Sequence, residues 1–170
     1  MAPRIVLLAA LLASGFSGPG AQAADGSVVA YLVADQRNNR VQRCAAAEGG
    51  ACTTVAGGNG DGSAANQFNY PVDVALEQAA DGSVIAYVVV DQYNCRVQRC
   101  TPAEGGDGAG SAANQLYSPK GLALEQAPDG SVIAYLVADY FNHRVQRCDP
   151  TDGGACTTVA GGHVVAYLVA

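Results

Sequence analysis

Val84-Ile85-Ala86-Tyr87-Val88-Val89-Val90, followed by Asp91-Gln92-Tyr93-Asn94-Cys95-Arg96-Val97-Gln98-Arg99-Cys100, is the stretch that decides how this chain folds. Its first seven residues would be apolar on both faces of an extended chain, and such strands need cover on both sides. An α-helix is the alternative for so short an apolar run. The β-branched residues and the bounding Asp81-Gly82-Ser83 turn favour a strand. Arg96 to Cys100 then forms the returning strand.

Outward from this block, the chain repeats it. Val28 to Ala34 and Val132 to Ala138 copy the apolar strand, and Arg40 to Cys44 and Arg144 to Cys148 copy Arg-Val-Gln-Arg-Cys. Asp-Gly-Ser-Val opens a segment at Asp25, Asp81 and Asp129. Ser-Ala-Ala-Asn-Gln recurs at Ser63 and Ser111, and Gly-Ala-Cys-Thr-Thr-Val-Ala-Gly-Gly at Gly50 and Gly154. Upstream of the apolar strand, Val72 to Leu76 alternates, with Val72, Val74 and Leu76 expected on one face; Lys120 to Leu124 is its counterpart. Thr53 to Ala56 supplies a fourth strand, copied at Thr157 to Ala160. The second unit runs from Glu104-Gly105-Gly106 straight to Asp107-Gly108 and so lacks the fourth strand, while the first unit lacks the first. A period of roughly 50 residues indicates a propeller or solenoid. A four-stranded sheet covered on both faces is a propeller blade, so the expected fold is all-β.

The turn between the second and third strands carries one pattern in three copies: Asp, two variable residues, Asn, one variable residue, Arg. The copies are Asp35, Asn38 and Arg40; Asp91, Asn94 and Arg96; and Asp139, Asn142 and Arg144. With the preceding Tyr-Val/Leu-Val run, the upstream Pro71 and Pro119, and Val-Ala-Gly-Gly followed by Ser-Ala-Ala-Asn-Gln and Pro, this closely resembles the NHL repeat. The resemblance covers Ala24 to Gly162 and implies NHL-type β-propeller blades. In that frame the aspartates end the second strand, the asparagines sit in a turn that tolerates left-handed backbone, and the arginines open the third strand and pair with the aspartates. Three copies on three blades cannot be one catalytic centre, so the pattern is expected to be a structural clasp. The chain departs from the repeat in two places. Of Asn39, Cys95 and His143, only His143 matches the usual residue before the Arg. Asp73 replaces the usual Gly that Gly121 keeps, and is expected to disturb close packing between blades.

NHL propellers have about six blades, whereas this chain holds about three units, at residues 24–58, 68–106 and 116–162. Val164 to Ala170 repeats Val28 to Ala34, so residues 163–170 read as the truncated start of a further repeat. The expectation is a fragment or an incomplete propeller; the alternatives are assembly of two or more chains into a ring, or an open arc with exposed, aggregation-prone apolar edges. At the other end, Met1 to Ala23 has the marks of a secretory signal. Arg4 is followed by an apolar run from Ile5 to Leu12, then Gly18-Pro19-Gly20 and Ala21-Gln22-Ala23 as a cleavage site. The run is about half of what a membrane span needs, so no span is expected after cleavage and the protein is expected to be secreted.

The six cysteines fit an oxidising compartment. Cys44 and Cys52, like Cys148 and Cys156, lie at the end of the third strand and the start of the fourth, facing each other across a hairpin, and disulfides are expected there. No Cys-x-x-Cys and no His at ligand spacing supports a metal alternative. Cys100 has no counterpart of its partner in the shortened unit, and its separation from Cys95 does not suit an ordinary bridge within one strand.

The remaining chemistry is sparse. The formal net charge of −6 and the single lysine, Lys120, argue against nucleic acid as a partner. Of two histidines, His143 belongs to the repeated turn and His163 follows the last Gly-Gly without evident neighbours. There is no Gly-x-Ser-x-Gly elbow. Gly57 to Gly62 is Gly-rich but lacks the Lys-Ser/Thr of a P-loop and the Glu of an EF-hand. The expected function is therefore a secreted or surface-exposed module that binds a protein or a small extracellular ligand, with no cofactor and no catalysis of its own. The resemblance also leaves two alternatives: part of a metal-dependent propeller enzyme akin to amidating lyases or lactonases, and the substrate-binding region of a ubiquitin ligase.

Overall fold

The structure is a computed structural model; it describes residues 21–22, 28–47, 50–79, 81–102, 116–150 and 155–161. These residues build three antiparallel sheets with no α-helix among them. The first sheet orders β1 (Ala21–Gln22), β2 (Val28–Asp35), β3 (Arg40–Ala45) and β4 (Cys52–Gly57) side by side. The second holds β5 (Pro71–Gln78), β6 (Val84–Asp91) and β7 (Arg96–Cys100). The third holds β8 (Pro119–Gln126), β9 (Val132–Asp139), β10 (Arg144–Cys148) and β11 (Cys156–Gly161). Each sheet is an up-and-down meander, so each repeat unit makes one blade.

Two expectations from the sequence meet details they did not include. The first sheet does have a strand in the first position, the two-residue β1, which pairs Ala21 with Ala30 and Gln22 with Val28 and comes from the end of the expected leader rather than from the unit at 24–58. The expected leader otherwise lies outside the described residues, as do residues 103–115 and 163–170. Among the described residues the second blade has three strands. Val72 does not share a face with Val74 and Leu76. The pairing of β5 with β6 skips from Pro71 to Asp73, and this bulge turns Val72 toward the third blade while Val74 and Leu76 face the first.

The apolar strands are covered on both sides because successive blades stack. Tyr87 and Val89 of β6 join Ala30, Leu32 and Ala34 of β2 in one core, with Phe68 from the connecting segment. Val88 and Val90, the alternate residues, join Leu122, Tyr135 and Val137 in a second core, with Leu116. Val88, Val89 and Val90 are each 0% exposed. The period of two sends successive valines into different cores, so Val88, Val89 and Val90 are all covered although no polar residue separates them. The opposite end of each second strand is less covered: Val29, Ile85 and Ile133, at equivalent positions, are exposed beside the turns.

Asp73 corrects the expectation of disturbed packing. It is buried, its Oδ1 accepts the Val74 N–H at 2.8 Å and its Oδ2 accepts the Leu122 N–H at 2.8 Å. The carboxylate therefore ties the first strand of the second blade to that of the third. Gly121, the matching position, has room for a Cβ at ordinary contact distance, 3.5 Å from the Ala138 Cβ.

Candidate functional site

The repeated turns and the segments that enter each first strand lie at one end of the blades. β5 begins where β6 ends, Pro71 pairing with Asp91, and β8 begins opposite the end of β9, Pro119 pairing with Asp139. The three motif aspartates each end the second strand there. Asp91 Oδ2 accepts Asn94 Nδ2 and Arg96 Nε, both at 2.8 Å, while its Oδ1 accepts the Asn69 N–H at 2.7 Å. In the third blade Asp139 does the same with Asn142 at 2.9 Å, Arg144 at 2.7 Å and the Tyr117 N–H at 2.6 Å. Asp35 binds Asn38 at 2.9 Å and Arg40 at 2.8 Å. One carboxylate thus locks the turn with one oxygen and, in the second and third blades, the incoming chain with the other.

The arginine extends this lock. Arg96 also donates to the carbonyls of Ser63, Ala64 and Gln67 at 2.8, 3.0 and 2.7 Å, which shapes the segment joining the first two blades. Gln98 donates to the Ala65 carbonyl in the same segment. Every guanidinium nitrogen of Arg96 is thereby engaged with backbone or carboxylate oxygen, and this geometry suits a positioning role rather than a reacting one.

The left-handed residue is not the motif Asn. It is the next one, Asn39 at φ 51°, Cys95 at 54° and His143 at 51°. The motif Asn instead spends its amide on the Asp carboxylate, and the residue after it reverses the chain into the third strand. Asn and His are among the residues that enter this region at lower cost. Tyr70 and Ser118, one position before the first strands, also have positive φ, 59° and 49°. Both are held from the preceding blade: the Asn39 side-chain oxygen accepts the Tyr70 N–H at 2.9 Å, and Gln92 Nε2 donates to Ser118 Oγ at 2.7 Å.

What this scaffold carries into solvent is aromatic. Tyr93, Tyr117, Tyr140 and Phe141 are 62, 58, 40 and 52% exposed. Tyr93 stacks on Tyr70 with ring centroids 4.9 Å apart, Phe141 lies 5.1 Å from Tyr117 and 5.2 Å from Tyr140, and Lys120 Nζ sits 3.9 Å from the Tyr140 ring centroid. The backbone anchors the rings as well, since the Tyr93 N–H donates to the Asn69 carbonyl and the Phe141 N–H to that of Tyr117. Sequence reasoning passed over these residues because they fill the variable places of the repeat. The available signal was that Tyr93, Tyr140 and Phe141 are large and apolar inside a turn. It also passed over two ion pairs at equivalent positions, Arg99 with Glu77 at 2.8 Å and Arg147 with Glu125 at 2.7 Å.

The expected cystines are formed. Cys44 is bonded to Cys52 and Cys148 to Cys156, each pair directly opposite across the hairpin of the third and fourth strands. Cys95 is a partly exposed free thiol in the second blade's turn, and Cys100 is buried in the core between the first two blades. Among the described residues no group of three or more His, Cys, Asp or Glu is placed to hold a metal ion. His143 is exposed, and His163 lies outside the described residues. No helix among the described residues is long and apolar enough to cross a membrane.

With this geometry established, comparison with known proteins defines the class. The fold is similar to a streptogramin B lyase structure, with a TM-score of 0.50 at 15% identity over 82% of this chain and 39% of that one. A selenomethionine-substituted virginiamycin B lyase from Staphylococcus aureus aligns at a TM-score of 0.47 and 14% identity, over 81% of this chain and 38% of that one. With its three meander sheets and the first of these likenesses, this chain is a set of propeller-type blades, and it spans about two fifths of the length of the lyase chains it matches. At such identity the likeness concerns fold alone. No protein-family model and no curated protein matches the chain.

Proposed function

We propose that this chain is an extracellular, NHL-type propeller module that binds a protein or small extracellular ligand through the aromatic end of its blades and carries no catalysis of its own. The observation that supports this most is the set of four exposed rings: Tyr93, Tyr140 and Phe141 on turns immobilised by the Asp-Asn-Arg clasps, and Tyr117 on the incoming segment that Asp139 holds. Rigid exposed tyrosines are the side chains that dominate binding energy at recognition surfaces, because they bury large area while losing little conformational freedom. The clasps serve as structure for this surface. Secretion is supported by the two cystines, which persist in oxidising compartments.

The test is a panel of immobilised glycans and extracellular peptides probed with the secreted protein and with a Tyr93→Ala/Phe141→Ala variant. Binding that the double variant weakens by about tenfold or more supports the proposal. Binding that the variant leaves intact removes the aromatic surface from it. Metal analysis and lyase and lactonase assays on the same secreted protein address the rival enzyme class. One tightly bound metal per chain with turnover would replace a binding module by an enzyme.

A further inference from the structure

On the two outer faces of the three-blade stack, particular side chains lose the burial that their counterparts have between blades, although Ala134, Ala138 and Val145 on the third blade's outer face stay buried. Tyr87 and Tyr135 are 5 and 1% exposed where they meet the preceding blade, and Val89 and Val137 are 0%. Tyr31 and Val33 hold the same positions in the first blade, which has no described blade before it, and both are only half-buried. Gln42 and Cys44 follow suit, half-buried where Gln98 and Cys100 are 0% exposed. At the other end, Leu32 and Val88 are 1 and 0% exposed against the following blade, whereas Leu136, at the same position of the third blade, is half-buried. Ala123, matching the buried Ala75, is half-buried too.

The molecule itself shows what fits each face. The forward face of the first blade, Ala30-Leu32-Ala34 of β2, receives Tyr87 and Val89 of the next. The third blade carries Ala134-Leu136-Ala138 forward, the same three residues in the same order, with the half-buried Leu136 between two buried alanines, and the first blade presents Tyr31 and Val33 backward, the pair that β9 uses as Tyr135 and Val137. We infer that a second copy of this chain seats head to tail on these faces, its first blade against the third blade of its partner. The contact is heterologous, with two different patches that are each complete on one copy, and it therefore forms a ring where the rotation closes or a short chain where it does not.

Sedimentation velocity of the secreted full chain across about 1 to 100 μM tests this. Reversible association is expected. Tyr31→Arg blocks only the backward face and Leu136→Arg only the forward one. Each variant alone should be monomeric, while an equal mixture of the two should form a heterodimer through the one intact pair of faces. Val33→Arg and Ala123→Arg, at half-buried positions, serve where the first pair perturbs folding, with circular dichroism and both cystines as the check. A wild-type protein that stays monomeric throughout overturns the inference; so does association that survives either single substitution, or a mixture no more associated than its parts. A monomer would mean that the faces are covered within one chain.

Discussion

Asp91 and Asp35 occupy the same position of two blades and differ in their surroundings. The Asp91 side chain is 0% exposed and Arg96 13%, whereas Asp35 is 22% exposed and Arg40 34%. Removing Asp91 strands a partly buried guanidinium and frees the Asn69 N–H. Asp91→Ala should therefore cost about 3–5 kcal/mol, against about 1 kcal/mol for Asp35→Ala; urea unfolding of the two variants measures the difference. Asp35 also makes a pH prediction. Burial pushes its carboxyl up, but hydrogen bonds from Arg40 and Asn38 and the Arg40 charge outweigh that and hold it below the ordinary 3.8. A depressed folded value means that the contribution is complete above the unfolded value and lost as pH falls through the folded one. The stability advantage of the wild type over Asp35→Asn should shrink below about pH 4. An advantage unchanged down to about pH 2 would show that ionisation of Asp35 adds nothing.

At the scale of elements, hairpins and inter-blade ties carry the stability. The Cys44–Cys52 bridge closes a short loop at the edge of the first blade. Cys44→Ser/Cys52→Ser should lower stability by about 2 kcal/mol, and intact mass before and after reduction should show two cystines falling to one in that variant. Asp73 tests the tie between blades. Asp73→Gly restores the residue usual in the resembling repeat, yet it leaves the buried Leu122 N–H without its 2.8 Å acceptor. We expect a loss of about 1–3 kcal/mol in a denaturant melt. A neutral or stabilising result would mean that the carboxylate is tolerated rather than used.

For the whole molecule the decisive quantity is stacking. Val89 belongs to the core shared with the first blade and Val88 to the core shared with the third. Val88→Ala and Val89→Ala should each destabilise by about 1–3 kcal/mol, although the residues are adjacent on one strand and a surface strand would lose stability at only one of the two. Thermal melts with far-ultraviolet circular dichroism read this, and the spectrum itself should be of sheet type without the helical double minimum.

Much of this was legible from residue order alone. Period, strand type and the facing of Cys44 with Cys52 and of Cys148 with Cys156 are local properties, and repetition of one block on one chain forces repetition of one sheet. That the left-handed residue is the one after the motif Asn is not legible there, because a turn's sequence does not say which side chain the preceding carboxylate will take. The bulge at Val72 and the bridge from Asp73 depend on contacts with β6 and with the third blade, 49 residues on for the Leu122 bond. The aromatic end was equally hidden, since Tyr70 meets Tyr93, and Tyr117 meets Phe141, only when strands fold back beside one another. The amino-acid order determined that valine-rich strands must be covered on two sides; stacking of one sheet on the next decided which residue meets which, because a side chain's partner across a packed face is set by register and distance in space rather than by place along the chain.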